Sequence, residues 1–448
     1  MSTPRVLRVL LAAALTSQCA TPVAAAVSPP PVDQKWLPAA ALPSPPVATV
    51  QREICATAAA DASGTDVPAQ LTDVDLPRIW QLSRGAGQRV AVIDTGVRRH
   101  PRLTDLVAGG DYVSTGDGTA DCDAHGTLVA GIIAATAAPN ADKFSGVAPD
   151  VTVISIRQSS AKFSPAGNRS SPGVGDVQTM AKAVRTAADL GASVINISSV
   201  ACVPASTALD DRALGAALAY AVDVKNAVVV AAAGNTGGTS QCPPQPAGAN
   251  RDTVAVVVSP AWYDDYVLTV GSVNSQGAPS PFTLAGPWVD VAATGEGVTS
   301  LSPVNDGIVN SLDGQHGSLR LSGTSYATPV VSGLAALIRA RFPALTARQV
   351  IQRIESTAHH PPEGWDPLVG NGTIDPLAAI STDTAPQTGT AGPKPLALPA
   401  PVAGAPSDRR QRDTAFGGTA VCLVALVAAA ASLAFRRLGS RRHGVAGD

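Results

Sequence analysis

Five strand-length apolar runs limit what this chain can fold into more than any other feature. They are RVAVID (89–94), VTVISIR (151–157), ASVINIS (192–198), AVVVAAAGN (227–235) and YVLTVGSV (266–273). A strand that is apolar at nearly every position must be covered on both faces. Between these runs, GTLVAGIIAAT (126–136), DVQTMAKAVRTAADLG (176–191) and ALDDRALGAALAYAVDVKN (208–226) read as helices. TARQVIQRIESTA (346–358) reads as a last helix, with Thr346 as its N-cap. Strands alternating with helices predict an α/β fold, a mostly parallel central sheet with helices on both faces. Aromatics are only 4% of the chain and hydrophobic residues 45%, so the core must be built from small side chains in close contact. A net charge of −2 gives no electrostatic case for a nucleic-acid partner.

The ends of the chain follow other rules. Residues 1–26 have the layout of a secretory signal: Arg5 and Arg8, then the apolar Val9–Leu15, then small residues at Ala24, Ala25 and Ala26. Gln18 before Cys19, and Thr16 three places before it, argue against lipid attachment there. Residues 27–74 form a Pro-rich extension, and 75–380 hold the α/β pattern. Residues 381–414 are a Pro, Ala and Thr-rich linker. Residues 415–435 carry no charge and as a helix span about 31 Å, the thickness of a bilayer core. The basic tail 436–448 begins with Arg436 and Arg437. The positive-inside rule then predicts a single-pass cell-membrane protein, with its main domain outside and its C-terminus cytoplasmic. Cys19 leaves with the signal and Cys422 lies in the span. Cys55, Cys122, Cys202 and Cys242 remain in an oxidising compartment, enough for two disulfides in any of three pairings. No CxxC pair is present, which argues against a zinc site, and neither a metal nor a cofactor is expected.

Chemistry in parallel sheets gathers at the carboxyl ends of the strands. Here those ends carry Asp94, Ser198 and Asn235, and DAHGTLVAG places His125 directly before a helix. In LRLSGTSYATPVVSGLAALI (319–338), Ser325 sits where a Gly-Thr turn becomes an apolar helix. N–H groups without intrahelical acceptors and the positive end of the helix dipole gather there. Each residue has a plain structural reading: Asp94 capping the turn at Gly96, His125 and Ser325 as helix caps, Asn235 as a turn residue. Taken together they supply every part that acyl transfer needs.

Asp-Thr-Gly after a buried strand, His-Gly-Thr opening a helix, Gly-Val-Ala-Pro (146–149), Ala-Ala-Gly-Asn and Gly-Thr-Ser-x-Ala-x-Pro occur in this order. The chain resembles the subtilisin-like (S8) serine peptidases over roughly residues 75 to 380, and Asp, His, Ser is that family's triad order. The resemblance implies a catalytic triad of Asp94, His125 and Ser325, with Asn235 as oxyanion donor. It also implies that Ser198, Ser199 and Val200 line the substrate strand. Here the family's Ser-x-Gly-Gly reads Ser198-Ser199-Val200-Ala201, and Tyr326 stands where a methionine often follows the nucleophile. Narrow specificity and low turnover on general proteins are therefore expected. In the family the strand ends before Cys202 and Cys242 lie side by side. The resemblance thus implies a Cys202–Cys242 pair, which leaves Cys55 for Cys122.

The extension is too short and Pro-rich for a folded pro-domain, and it looks like a belt held on by that disulfide. Signal, extension, cysteines, peptidase domain, stalk and anchor together resemble the mycosins, membrane-anchored proteases of type VII secretion systems. That resemblance implies protein or peptide substrates of the pathway and a membrane secretion complex as partner. The competing reading is a mainly structural component of that complex, with secondary or dispensable catalysis. Asn168-Arg169-Ser170 and Asn371-Gly372-Thr373 match a glycosylation sequon without reason for use, and Asp111, Asp117, Asp121 and Asp123 read as a solvated loop.

Overall fold

The computed structural model describes residues 27–58, 66–72, 74–237, 242–246, 248–314 and 317–381. The expected signal peptide, the linker beyond residue 381, the 415–435 span and the basic tail lie outside the described residues. Among the described residues, no helix is long and apolar enough to cross a membrane.

Seven parallel strands make the central sheet: β1 (Arg89–Asp94), β2 (Leu106–Asp111), β3 (Thr152–Arg157), β4 (Val194–Ile197), β5 (Val228–Ala232), β6 (Val267–Val273) and β7 (Val291–Thr294). Their order is β7-β6-β5-β4-β1-β3-β2. The direction of winding reverses about β1, and a crevice opens at the carboxyl ends of strands where this happens. All five predicted apolar runs are sheet strands. Val90, Ala91, Val92 and Ile93 of β1 are fully buried, as a strand covered on both faces must be.

The helices are α1 (Leu76–Leu82), α2 (His125–Ala134), α3 (Val177–Asp189), α4 (Arg212–Ala219), α5 (Thr324–Arg341), α6 (Ala347–Thr357) and α7 (Pro376–Ser381). α2 packs on α5, which lies along β4 to β7, and α3 packs on α4 and along β1. α3 and α6 start with capping boxes, from Asp176 and Thr346 respectively.

The structure departs from the sequence pattern in three places. The helix expected over 208–226 begins only at Arg212 and widens to a π-turn over Tyr220–Val224. Its start is held back by Asp211, whose buried carboxylate accepts from Ser259 Oγ (2.6 Å), Trp262 Nε1 (2.8 Å) and Tyr263 Oη (2.9 Å) instead of capping the helix. Two strands of the central sheet were not foreseen, β2 (LVAGGD) and β7 (VAAT). Both are sheet edges, where a long apolar run is not required. The acidic stretch is not a solvated loop: Asp111 is buried against Arg157 (3.5 Å), Asp121 is enclosed by donors, and of the four only Asp117 is exposed.

The extension lies against the α/β body along much of its length. Val27 N–H donates to Arg251 O (2.8 Å), and Trp36 stacks on Arg212. Thr49–Gln51 pairs with Phe163–Pro165, and Thr57 Oγ1 donates to Asp313 (2.6 Å). Cys55 is bonded to Cys122, and Cys202 to Cys242, the pairing that the family resemblance implies. Closing loops of 67 and 40 residues, the two bridges each stabilise the fold by on the order of 4 kcal/mol through the unfolded chain.

Candidate active site

Asp94 is the last residue of β1, and Gly96 turns the chain directly after it at φ +101°. A Cβ on Gly96 would stand 2.1 Å from Ala120 O, and one on Gly126 would stand 2.0 Å from Gly96 O. Both clashes are with backbone. Glycine at 126 lets the start of α2 lie against Gly96, and glycine at 96 lets the loop before α2 approach at Ala120, so Asp-Thr-Gly and His-Gly-Thr meet in one contact. His125 opens α2 behind Ala124, which is left-handed at φ 73°. Ser325 is the second residue of α5, behind Gly323 and Thr324. Its helix is anchored by apolar burial: every side chain from Ala327 to Ile338 is buried.

The three side chains form one hydrogen-bonded line. Asp94 Oδ1 lies 2.8 Å from His125 Nδ1, and His125 Nε2 lies 3.0 Å from Ser325 Oγ. Asp94 is 1% exposed and Ser325 8%, whereas the imidazole keeps 28% of its surface open. The ring is thus reachable from solvent while its orienting carboxylate is not. Burial alone would lower the imidazole pKa. The touching Asp94 carboxylate, with Asp121 and Asp123 further off, outweighs burial and holds it above the ordinary value.

Asn235 follows β5. Its Oδ1 accepts from Thr324 N–H (2.9 Å) and Thr324 Oγ1 (3.0 Å), which fixes the amide with its Nδ2 toward Ser325. A Cβ on Gly323 would stand 3.3 Å from that Nδ2 and 3.1 Å from Ser325 Oγ. The missing side chain therefore leaves a small space bounded by the hydroxyl and the amide donor, large enough for one oxygen. Thr324 had no role in the sequence reading. Its signal was present in the Gly-Thr-Ser motif, but that an orienting group was needed became visible only with Asn235 in place.

The expected substrate strand follows β4. Ser198 Oγ accepts from Asn196 Nδ2 (2.9 Å), and Asn196 Oδ1 accepts from Ser332 of α5 (2.8 Å). The end of β4 is thereby tied to the helix that carries Ser325. Ser199 and Val200 are half-buried beyond it. Cys202 and Cys242 lie against Gly234, their sulfurs 3.6 and 3.3 Å from the position of a Cβ there. The disulfide thus packs directly behind Asn235. Tyr326 sets its ring 5.2 Å from the His125 ring, tilted by 43°. Among the described residues, no group of three or more His, Cys, Asp or Glu is placed to hold a metal ion.

Residues 85–372 match the subtilase family, peptidase S8. Mycosin-4 of Mycobacterium tuberculosis is 70% identical over 458 residues, covering 100% of both chains. The solved MycP3 protease from the type VII (ESX-3) secretion system superposes with a TM-score of 0.75 at 46% identity, covering 80% of this chain and 100% of that one. A chain of an intact ESX-5 inner membrane complex superposes at 0.76 with 42% identity, covering 91% of this chain and 100% of that one. Family match, full-length likeness and fold agree: the chain belongs to the subtilase family and, within it, to the mycosins, as a subtilisin-like serine endopeptidase.

Proposed function

We propose that Ser325 is the nucleophile of a peptide-bond hydrolysis carried out on the outer side of a membrane. His125 Nε2 takes the hydroxyl proton as Oγ attacks the scissile carbonyl, then returns it to the leaving amine. Asp94, fixed on Nδ1, holds the tautomer that leaves Nε2 free to accept and stabilises the imidazolium once formed. Asn235 Nδ2 and the Ser325 N–H stabilise the tetrahedral oxyanion in the space left open by Gly323. One such donor contributes roughly 10²–10³ in turnover, a magnitude taken from a subtilisin. Water then attacks the acyl-enzyme with the same proton relay in reverse. The substrate lies extended along Ser198, Ser199 and Val200, where Val200 and Ala201 in place of glycines narrow the groove. The observation that carries this reading is the unbroken line from Asp94 to Ser325 at 2.8 and 3.0 Å.

The substrates are proteins exported by a type VII secretion system, and the chain associates with that system's membrane complex through the 415–435 helix and its outer domain. The likeness to the MycP3 protease and to a chain of the ESX-5 complex supports this placement. The second of these likenesses also favours a joint structural role. Substituting Ser325→Ala in cells separates the two. Processing of exported proteins should stop while the complex still assembles and secretion continues. Continued processing would remove the catalytic reading, and loss of the assembled complex would show that its integrity depends on chemistry.

A further inference from the structure

Behind the triad lies a second carboxylate that the mechanism above does not use. Asp121 accepts five hydrogen bonds. Its Oδ1 takes Thr95 Oγ1 (2.9 Å), Asp123 N–H (3.1 Å) and Ala124 N–H (2.8 Å). Its Oδ2 takes Thr127 N–H (2.9 Å) and Thr127 Oγ1 (2.6 Å). These donors come from the two elements that carry the acid–base pair. Thr95 is the chain neighbour of Asp94, and Ala124 is the chain neighbour of His125. Thr95 Oγ1 in turn accepts from Gly126 N–H (2.9 Å), closing a ring of bonds around the pair. α2 has no side-chain cap from Ala124 itself, so Asp121 serves as the cap from three residues earlier.

We infer that Asp121 is a positioning residue for catalysis: it sets the separation of Asp94 and His125 and adds a second negative charge to the field at the imidazole. The inference rests on the catalytic reading of Ser325 and His125.

The groups facing His125 are Asp94 from β1, Asp121 and Asp123 from the loop before α2, and Tyr326 and Ser325 from α5. Asp123 is already occupied, taking Ser160 Oγ (2.5 Å) and Ala161 N–H (2.8 Å). Tyr326 is uncharged, its phenol pushed up by burial and by the charges of Asp94 and Asp121. The charges that act most strongly on the ring are these carboxylates, so they dominate the field. Asp121 itself is pushed up to about 6, by burial first and by the Asp94 charge, against the pull of its donors. At neutral pH it is therefore mostly ionised. Its charge raises the basicity of His125, and its hydrogen bonds spread that charge over the turn that holds the ring.

The test is the second-order rate of fluorophosphonate labelling of the purified full-length chain, followed against pH. Asp121→Asn should move the acid limb several tenths of a pH unit downward and lower the plateau about tenfold. Thr95→Val, which cuts the tie to β1 and keeps the charge, should lower the plateau severalfold and leave the limb in place. An Asp121→Asn limb that coincides with that of the unsubstituted chain overturns the inference, whatever the plateau does, because a purely structural role moves only the plateau. If Asp121→Asn does not fold, Thr95→Val carries the test: a lowered plateau with unchanged thermal unfolding supports the inference, and an unchanged plateau, or a lowered one accompanied by an equal loss of stability, overturns it. An unsubstituted chain that never labels removes the catalytic reading as well, whereas normal labelling with unmoved limbs removes only the role of Asp121.

Discussion

Ser325 and His125, the proposed nucleophile and its proposed base, each stand at the start of a buried helix, but the segments that lead into those helices are held by different means. Ser325 stands on a helix buried from Thr324 to Ile338, so its position comes from apolar packing against four strands of the sheet. His125 stands at the end of a polar loop, behind a left-handed alanine, held by Asp121, by the Asp123 contacts to Ser160 and Ala161, and by a disulfide from the N-terminal extension at Cys122. Apolar packing fixes a whole helix at once and tolerates local loss. Hydrogen bonds and a cross-link fix one turn and fail locally. A break on the Ser325 side should therefore appear as lost stability, and a break on the His125 side as lost rate.

Four changes bear on that contrast, in falling order of effect. His125→Ala should reduce hydrolysis by on the order of 10⁶, the magnitude seen for the histidine of a subtilisin, with melting nearly unchanged. Asn235→Ala should cost roughly 10²–10³ in kcat with KM little altered, because its amide acts on the oxyanion alone. Leu334→Ala, at a fully buried site on α5, should cost about 2–5 kcal/mol in denaturant unfolding while activity per folded molecule stays near normal. A large fall in that specific activity would break the comparison. Replacing Cys55 and Cys122 together by alanine should do both, lowering stability by about 2–5 kcal/mol and slowing acylation severalfold.

A smaller effect is in the pH profile. His125 is held above its ordinary value, and only the neutral ring can take the serine proton. Activity should therefore rise with pH through a midpoint above about 6.5. The same shift makes the protonated ring stabilising below about pH 6.5, a contribution that is lost as pH rises through the folded value. A kcat/KM midpoint below 6 would contradict the field assigned to the acidic groups.

The two regions also differ in how much their sequence disclosed. The α5 side was legible because burial leaves a continuous apolar text after Gly-Thr-Ser, and the central strands were legible for the same reason. Edge strands β2 and β7 were not, since an edge needs no such run. The His-Gly-Thr motif pointed to the proposed base, yet the loop before it read as solvated acid. What encloses the half-buried Asp121 carboxylate is the approach of Thr95 and Thr127 from separate elements, which spacing along the chain does not encode. Asp211 misled for a similar reason: its acceptors were spent on Ser259, Trp262 and Tyr263, far along the sequence.

The most direct test of the account is the site of covalent capture. The full-length chain, treated with a fluorophosphonate and mapped by peptide mass spectrometry, should carry a single adduct on Ser325, absent after Ser325→Ala and nearly absent after His125→Ala. An adduct on another serine, or equal labelling of Ser325 without His125, would contradict the claim that one folded line of carboxylate, imidazole and hydroxyl activates this residue.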